Sequence, residues 1–101
     1  MLLAEDDDDA RAVFADSLRR AGYAVIEVAN GAQLLDALTG APAVDLVISD
    51  VRMPIVSGLD ALVAMRAARF KTHFIVITAF GSAEAHREAK LLGARAVLDK
   101  P

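Results

Sequence analysis

A chain of 101 residues, 55% of them hydrophobic, is long enough to bury one core and too short for two. Its net charge of −3, with Lys and Arg scattered along the chain, excludes a general nucleic-acid binder, which meets phosphates with a clustered basic stripe. The lack of cysteine excludes disulfides and thiolate metal sites and points to an intracellular setting, and no apolar run is long enough for a membrane span or a signal peptide.

In chain order, Leu2 to Ala4 reads as a short buried strand, and the acids Glu5 to Asp9 follow it directly. Acidic runs are commonly solvated, and Asp7 to Asp9 fit that description: a loop with Asp8 or Asp9 capping the first helix. That helix carries a stripe of Ala10, Val13, Phe14, Ser17, Leu18 and Ala21, and ends at Ala21-Gly22. "AVIEV" at 24–28 is a second strand, and Asn30-Gly31 opens a helix with Leu34, Leu35 and Leu38 on one face. "LVIS" at 46–49 predicts a third strand, followed by a helix through Leu59, Leu62, Val63 and Arg66. "FIVIT" at 74–78 predicts the fourth strand, and a fourth helix through Ala85, Ala89 and Leu92 closes at Gly93 in the left-handed conformation. "AVL" at 96–98 is the fifth strand. Phe14, Met53 and Met65 read as packing residues; His73, in a loop, and His86, on a helix, are assigned to no site.

Strands that alternate with helices make a parallel sheet of right-handed βαβ units, and such sheets bind ligands beyond the carboxyl ends of their strands. Glu5 and Asp6 close the first strand, Asp50 the third and Thr78 the fourth, while Lys100 follows the fifth. If the first and third strands are central neighbours, all five meet at one edge. Crowded carboxylates require a cation, and an all-oxygen set without His or Cys selects a hard ion such as Mg2+. Lys100 adds the charge that would hold a phosphoryl group against that metal, with Thr78 donating to one of its oxygens. Asp50 is then the candidate nucleophile, and an aspartyl phosphate the product.

These residues resemble the receiver domain of two-component response regulators. "LLAEDDDDAR", "DLVISDVRMPIVSGLDAL", "FIVITAF" and "GARAVLDKP" stand in that family's order and spacing across essentially the whole chain. The resemblance implies a doubly wound α/β domain over residues 1–101, a five-stranded parallel sheet in flavodoxin-like order 2-1-3-4-5. It implies a phosphoacceptor and not a separate enzyme, taking a phosphoryl group from a histidine kinase or phosphotransfer protein in the cytoplasm and controlling an output domain or partner. Asp50 is the implied phosphoacceptor. Mg2+ would be held by Asp6, by Asp50, by the backbone carbonyl of Arg52 and, through water, by Glu5. Thr78 and Lys100 would contact the phosphoryl group, and Pro101 would form a cis bond after Lys100.

Some positions depart from the family. Val97 replaces the aromatic residue whose ring follows Thr78 in the usual switch, and Ser57 stands where an acid is common. Phe80 and Arg52, two residues after Thr78 and Asp50, are bulky enough to shield an acyl phosphate from water, so slow autodephosphorylation is expected. Receivers carry a fifth helix after "KP", where this sequence stops; the expectation is that the natural protein continues, and that without this helix one face of the sheet is bare and recruits a second copy. A haloacid-dehalogenase-like phosphatase needs a second Asp as general acid where Arg52 stands, and a flavodoxin-like cofactor site needs a phosphate loop that the acids would repel. The alternative that keeps most weight is a degenerate receiver serving as an interaction or dimerisation module.

Overall fold

The computed structural model describes residues 1–40, 44–53, 55–78 and 83–100. Strand and helix alternate as β1 (Leu2–Ala4), α1 (Asp8–Arg20), β2 (Ile26–Val28), α2 (Gly31–Thr39), β3 (Leu46–Asp50), α3 (Gly58–Ala67), β4 (His73–Thr78), α4 (Ala83–Leu91) and β5 (Ala96–Asp99). All pairings are parallel and the strand order is β2-β1-β3-β4-β5, so β1 and β3 are neighbours at the centre. The expected order 2-1-3-4-5 is therefore the observed one.

Alternation along the strands divides the core between two faces. Leu2, Ala4, Val47, Phe74 and Val76 point to one side, where Leu34 and Leu38 of α2, Leu62 and Met65 of α3 and Ala89 of α4 cover them. Leu3, Ile48 and Ile77 point to the other, where the fully buried Ala15 of α1 and the partly buried Leu18 meet them. The stripe expected on α1 is only partly used: Val13 is 69% and Phe14 36% exposed, and on β5 Leu98 is 52% exposed. These three line an open groove between α1 and the sheet together with Leu3, Ile77 and Lys100. Among the described residues these side chains leave an apolar surface exposed between α1 and β5.

Several ends differ from the reading of the sequence. Asp7, not Asp8 or Asp9, caps α1, its carboxylate accepting from the Ala10 N–H at 2.9 Å; the helix begins one residue earlier, leaving Asp8 and Asp9 in the first turn, where acids suit its dipole. His73 belongs to β4, because its N–H reaches the Asp45 carbonyl and it pairs in register with Leu46. Residues 24 and 25 precede β2 without joining it. At the amino end of the sheet, Arg66 donates to the carbonyls of Phe70, Thr72 and Gly93 at 2.8, 3.1 and 3.1 Å, tying α3 to the loop before β4 and the turn after α4. Gly93 has φ +93°, the left-handed closure expected of it.

Candidate functional site

The carboxyl edge of the central strands gathers the expected groups. Parallel pairing of β1 with β3 sets Ala4 opposite Ser49, so the next residues, Glu5 and Asp50, leave the sheet side by side. Each is 7% exposed, and carboxylate oxygens of Glu5, Asp6 and Asp50 all lie within 4.8 Å of one another. Lys100 reaches across from the end of β5: its Nζ lies 3.1 Å from both Glu5 oxygens and 2.6 Å from Asp50 Oδ2. The other Asp50 oxygen, Oδ1, accepts the Arg52 N–H at 3.1 Å. Thr78, 4% exposed, closes β4, and its carbonyl accepts the Lys100 N–H at 2.8 Å, so the backbone fixes where the lysine departs.

The floor of the site is built by close backbone approach. Ser49 Oγ donates to the Asp50 carbonyl at 2.9 Å, and the Gly58 N–H reaches the Val51 carbonyl at 2.9 Å. A Cβ at Gly58 would collide with the Asp50 carbonyl oxygen, so the start of α3 can pack beneath Asp50 only with glycine there. Ser57, which stands where an acid is common, caps α3 by accepting from the Asp60 N–H at 3.1 Å. The Ser-x-x-Asp spacing was the signal for it.

Charge is unevenly held. Burial pushes the Glu5 carboxyl up to about 7, helped by Asp50 beside it and opposed by Lys100. Burial also acts to raise Asp50, but hydrogen bonds from Glu5, Lys100 and the Arg52 N–H outweigh it and hold Asp50 below the ordinary range. Lys100, despite burial, is raised by its two carboxylate partners. At neutral pH the cluster is an ionised Asp50 and Lys100 with a Glu5 that shares its proton readily.

From this follows a pH dependence. In the unfolded chain Glu5 ionises near 4.5 and in the fold near 7, so between those values the folded protein holds a proton that the unfolded chain has released. The stability this group leaves intact is full below about pH 4.5 and falls as pH rises through about 7. Asp50 works in the opposite sense: its contribution is present above 3.8 and lost as pH falls through its depressed value. The stability gap between the protein and Glu5→Gln, read from urea midpoints without metal, is expected to widen in favour of the variant as pH rises through this window. A divalent cation bound in this cluster would compete with the Glu5 proton, so the expected Mg2+ affinity climbs with pH to about 7 and then levels. Calorimetric affinities that stay flat from about pH 5.5 to 8 would contradict this protonation scheme.

The donor set fits a hard divalent ion: three carboxylates from two adjacent strand ends, no imidazole, no thiolate, and one exposed member, Asp6, open to water. Arg52, named for its carbonyl, lies beside Asp50 with its side chain exposed. Val97 is partly buried against the larger core cluster and paired with Val76, a packing position. Phe80 and Pro101 lie outside the described residues. Sequence reasoning missed a contact between His86 on α4 and Asp99 at the end of β5, Nε2 to Oδ1 at 2.9 Å. No local pattern announces it, because the partners are thirteen residues apart on different elements.

A doubly wound sheet that gathers an acidic centre and one lysine at its carboxyl edge places the chain first in the flavodoxin-like class, with carboxylates where a glycine-rich phosphate loop would stand. Within that class the chain belongs to the response regulator receiver domain family, whose model matches residues 1–101. It is 31% identical to sporulation initiation phosphotransferase F of Bacillus subtilis over 101 residues, all of this chain and 81% of that protein. It is 36% identical to the transcriptional regulatory protein PdtaR of Mycobacterium tuberculosis, matching all of this chain and 49% of that protein, so it spans about half the length of that relative. The structure of Vibrio cholerae chemotaxis protein CheY4 superposes with a TM-score of 0.89 at 32% identity, covering 99% of this chain and 84% of that one. No helix among the described residues is long and apolar enough to cross a membrane.

Proposed function

We propose that this receiver domain accepts a phosphoryl group on Asp50 from a phosphohistidine on a sensor kinase or phosphotransfer protein, in the cytoplasm, and passes the change to an output domain or partner. The observation that carries the reading is the contact of Lys100 Nζ with Asp50 Oδ2 at 2.6 Å inside the Glu5, Asp6 and Asp50 cluster. In the transfer, an Asp50 oxygen forms the new bond to phosphorus while the P–N bond breaks and the imidazole nitrogen keeps its electron pair. Lys100 and the hydrogen bonds from Glu5 and the Arg52 N–H keep Asp50 ionised against its burial, and the Arg52 N–H holds its other oxygen. Mg2+, held by Asp6, Asp50, the Arg52 carbonyl and Glu5 through water, would supply neutralising charge for the phosphoryl oxygens. As the product forms, Lys100 is placed to exchange Asp50 for a phosphoryl oxygen, and Thr78, at the end of the adjacent strand, to donate to another. The domain is not a separate enzyme: it catalyses only its own phosphorylation and dephosphorylation. Self-association through the bare α1–β5 face belongs to the same proposal.

A second reading, a degenerate receiver that acts as an interaction module, is favoured by Val97, a packing residue where the switching ring is usual. Beryllofluoride, which mimics a phosphoryl group on an aspartate, separates the two. With Mg2+ present it is expected to shift the backbone NMR signals of Asp50, Thr78 and Lys100 and to propagate into β5. A spectrum unchanged at saturating beryllofluoride would favour the interaction module.

A further inference from the structure

Arg11 sits in the first turns of α1 with its side chain 18% exposed, and its guanidinium is committed in three directions. Nη1 donates to the backbone carbonyl of Glu5 at 2.8 Å, Nη2 to Asp8 Oδ1 at 2.6 Å, and Nε lies 3.7 Å from Glu27 Oε1 on β2. Glu27 is held from its other oxygen by Arg19, Nη1 to Oε2 at 2.8 Å. The Glu5 N–H reaches the Val28 carbonyl at 3.1 Å. The carbonyl that Arg11 grips belongs to the peptide joining Glu5 to Asp6, so its plane governs the direction in which both acids leave the chain. With the N–H of Glu5 pinned to β2 and its C=O pinned to α1, that direction is set from both sides.

We infer that Arg11 is a positioning residue for the cation site. It orients the Glu5–Asp6 peptide toward Asp50 while its charge is directed to Asp8 and Glu27, acids outside the cluster. The inference rests on the reading of Glu5, Asp6 and Asp50 as a divalent-cation site. It makes a prediction opposite in sign to charge counting. Removing a cation near an acidic cluster should tighten binding of another cation if electrostatics alone decides. Loss of positioning should weaken it, as loss of a residue that supports metal ligands typically does by about 10–100-fold.

The test is calorimetric titration of Mg2+ into the full chain and three variants under conditions where urea curves show each folded. Arg11→Ala is expected to bind Mg2+ about tenfold more weakly, at the low end of that range. Arg11→Lys keeps the charge and one donor but loses the fork, and should fall between, about threefold weaker, on the scale of such supporting contacts. Arg19→Ala removes the same charge and breaks the same Glu27 brace without touching Glu5, and should bind unchanged or slightly tighter. Arg11→Ala binding as tightly as the unsubstituted protein, or Arg19→Ala weakening as much as Arg11→Ala, would overturn the inference. If Arg11→Ala does not fold, Arg11→Lys carries the test: weakening of about threefold supports positioning, and unchanged affinity overturns it. Failure of the unsubstituted protein to bind Mg2+ overturns the metal reading, and this inference with it.

Discussion

Lys100→Met is expected to lower the rate of phosphorylation by acetyl phosphate about 10²–10³-fold and to destabilise the metal-free fold. The ammonium lies within 3.1 Å of both Glu5 oxygens and 2.6 Å of Asp50 Oδ2, and methionine keeps the stem while removing the charge. Two carboxylates, each 7% exposed, then face one another without a cationic partner, Asp50 keeping only the Arg52 N–H on its other oxygen. Breaking a buried ion pair costs roughly 3–5 kcal/mol, and because Lys100 itself is partly exposed the loss here should fall near the lower end. The penalty should shrink at acid pH, where Glu5 protonates, and with saturating Mg2+, which supplies the missing positive charge. Urea unfolding at pH 5 and pH 8, with and without Mg2+, checks the stability half; intact mass after timed exposure to acetyl phosphate checks the rate. A variant phosphorylated at the original rate would remove Lys100 from the chemistry.

The second large effect belongs to Asp50→Asn, which should abolish labelling while leaving the fold intact. An amide oxygen is a poor nucleophile at phosphorus, so the loss should be at least about a hundredfold. Stability should move the other way. The amide removes the negative charge beside Glu5 and leaves Lys100 paired with Glu5 alone, so Glu5 loses one of the influences that raise it. Asp50→Asn is therefore expected to be at least as stable as the unsubstituted protein near pH 7 without metal, and to bind Mg2+ more weakly for want of one carboxylate. Lost labelling in a protein whose urea midpoint is unchanged or higher cannot be ascribed to unfolding.

Much of this was legible in the sequence because it rests on strong local patterns. The aliphatic runs 46–49 and 74–78 could only be strands buried on both faces, and their alternation with helical stripes dictated a parallel sheet. Once β1 and β3 are neighbours, Glu5 and Asp50 must emerge together, so the acidic site follows from topology plus the residues at strand ends. The cap of α1 was misplaced because any of several consecutive acids satisfies the capping preference, and only the geometry at Asp7 decides among them. The stripe on α1 suggested that Val13 and Phe14 were core, whereas burial depends on what stands opposite, which periodicity does not specify. The grip of Arg11 on the Glu5 carbonyl was invisible for a related reason: side chain to backbone contacts leave no pattern in the partner's identity. The need for glycine at 58 was likewise invisible, because it comes from the approach of α3 to the Asp50 carbonyl, where no side chain fits.

The central claim is that Asp50 accepts a phosphoryl group with the help of a divalent cation, and intact-mass measurement after incubation with acetyl phosphate tests it most directly. The full chain with Mg2+ is expected to gain the mass of one phosphoryl group, and neither a metal-free sample nor Asp50→Asn should do so. An unchanged mass with Mg2+ present, or an equal gain in Asp50→Asn, would contradict the account.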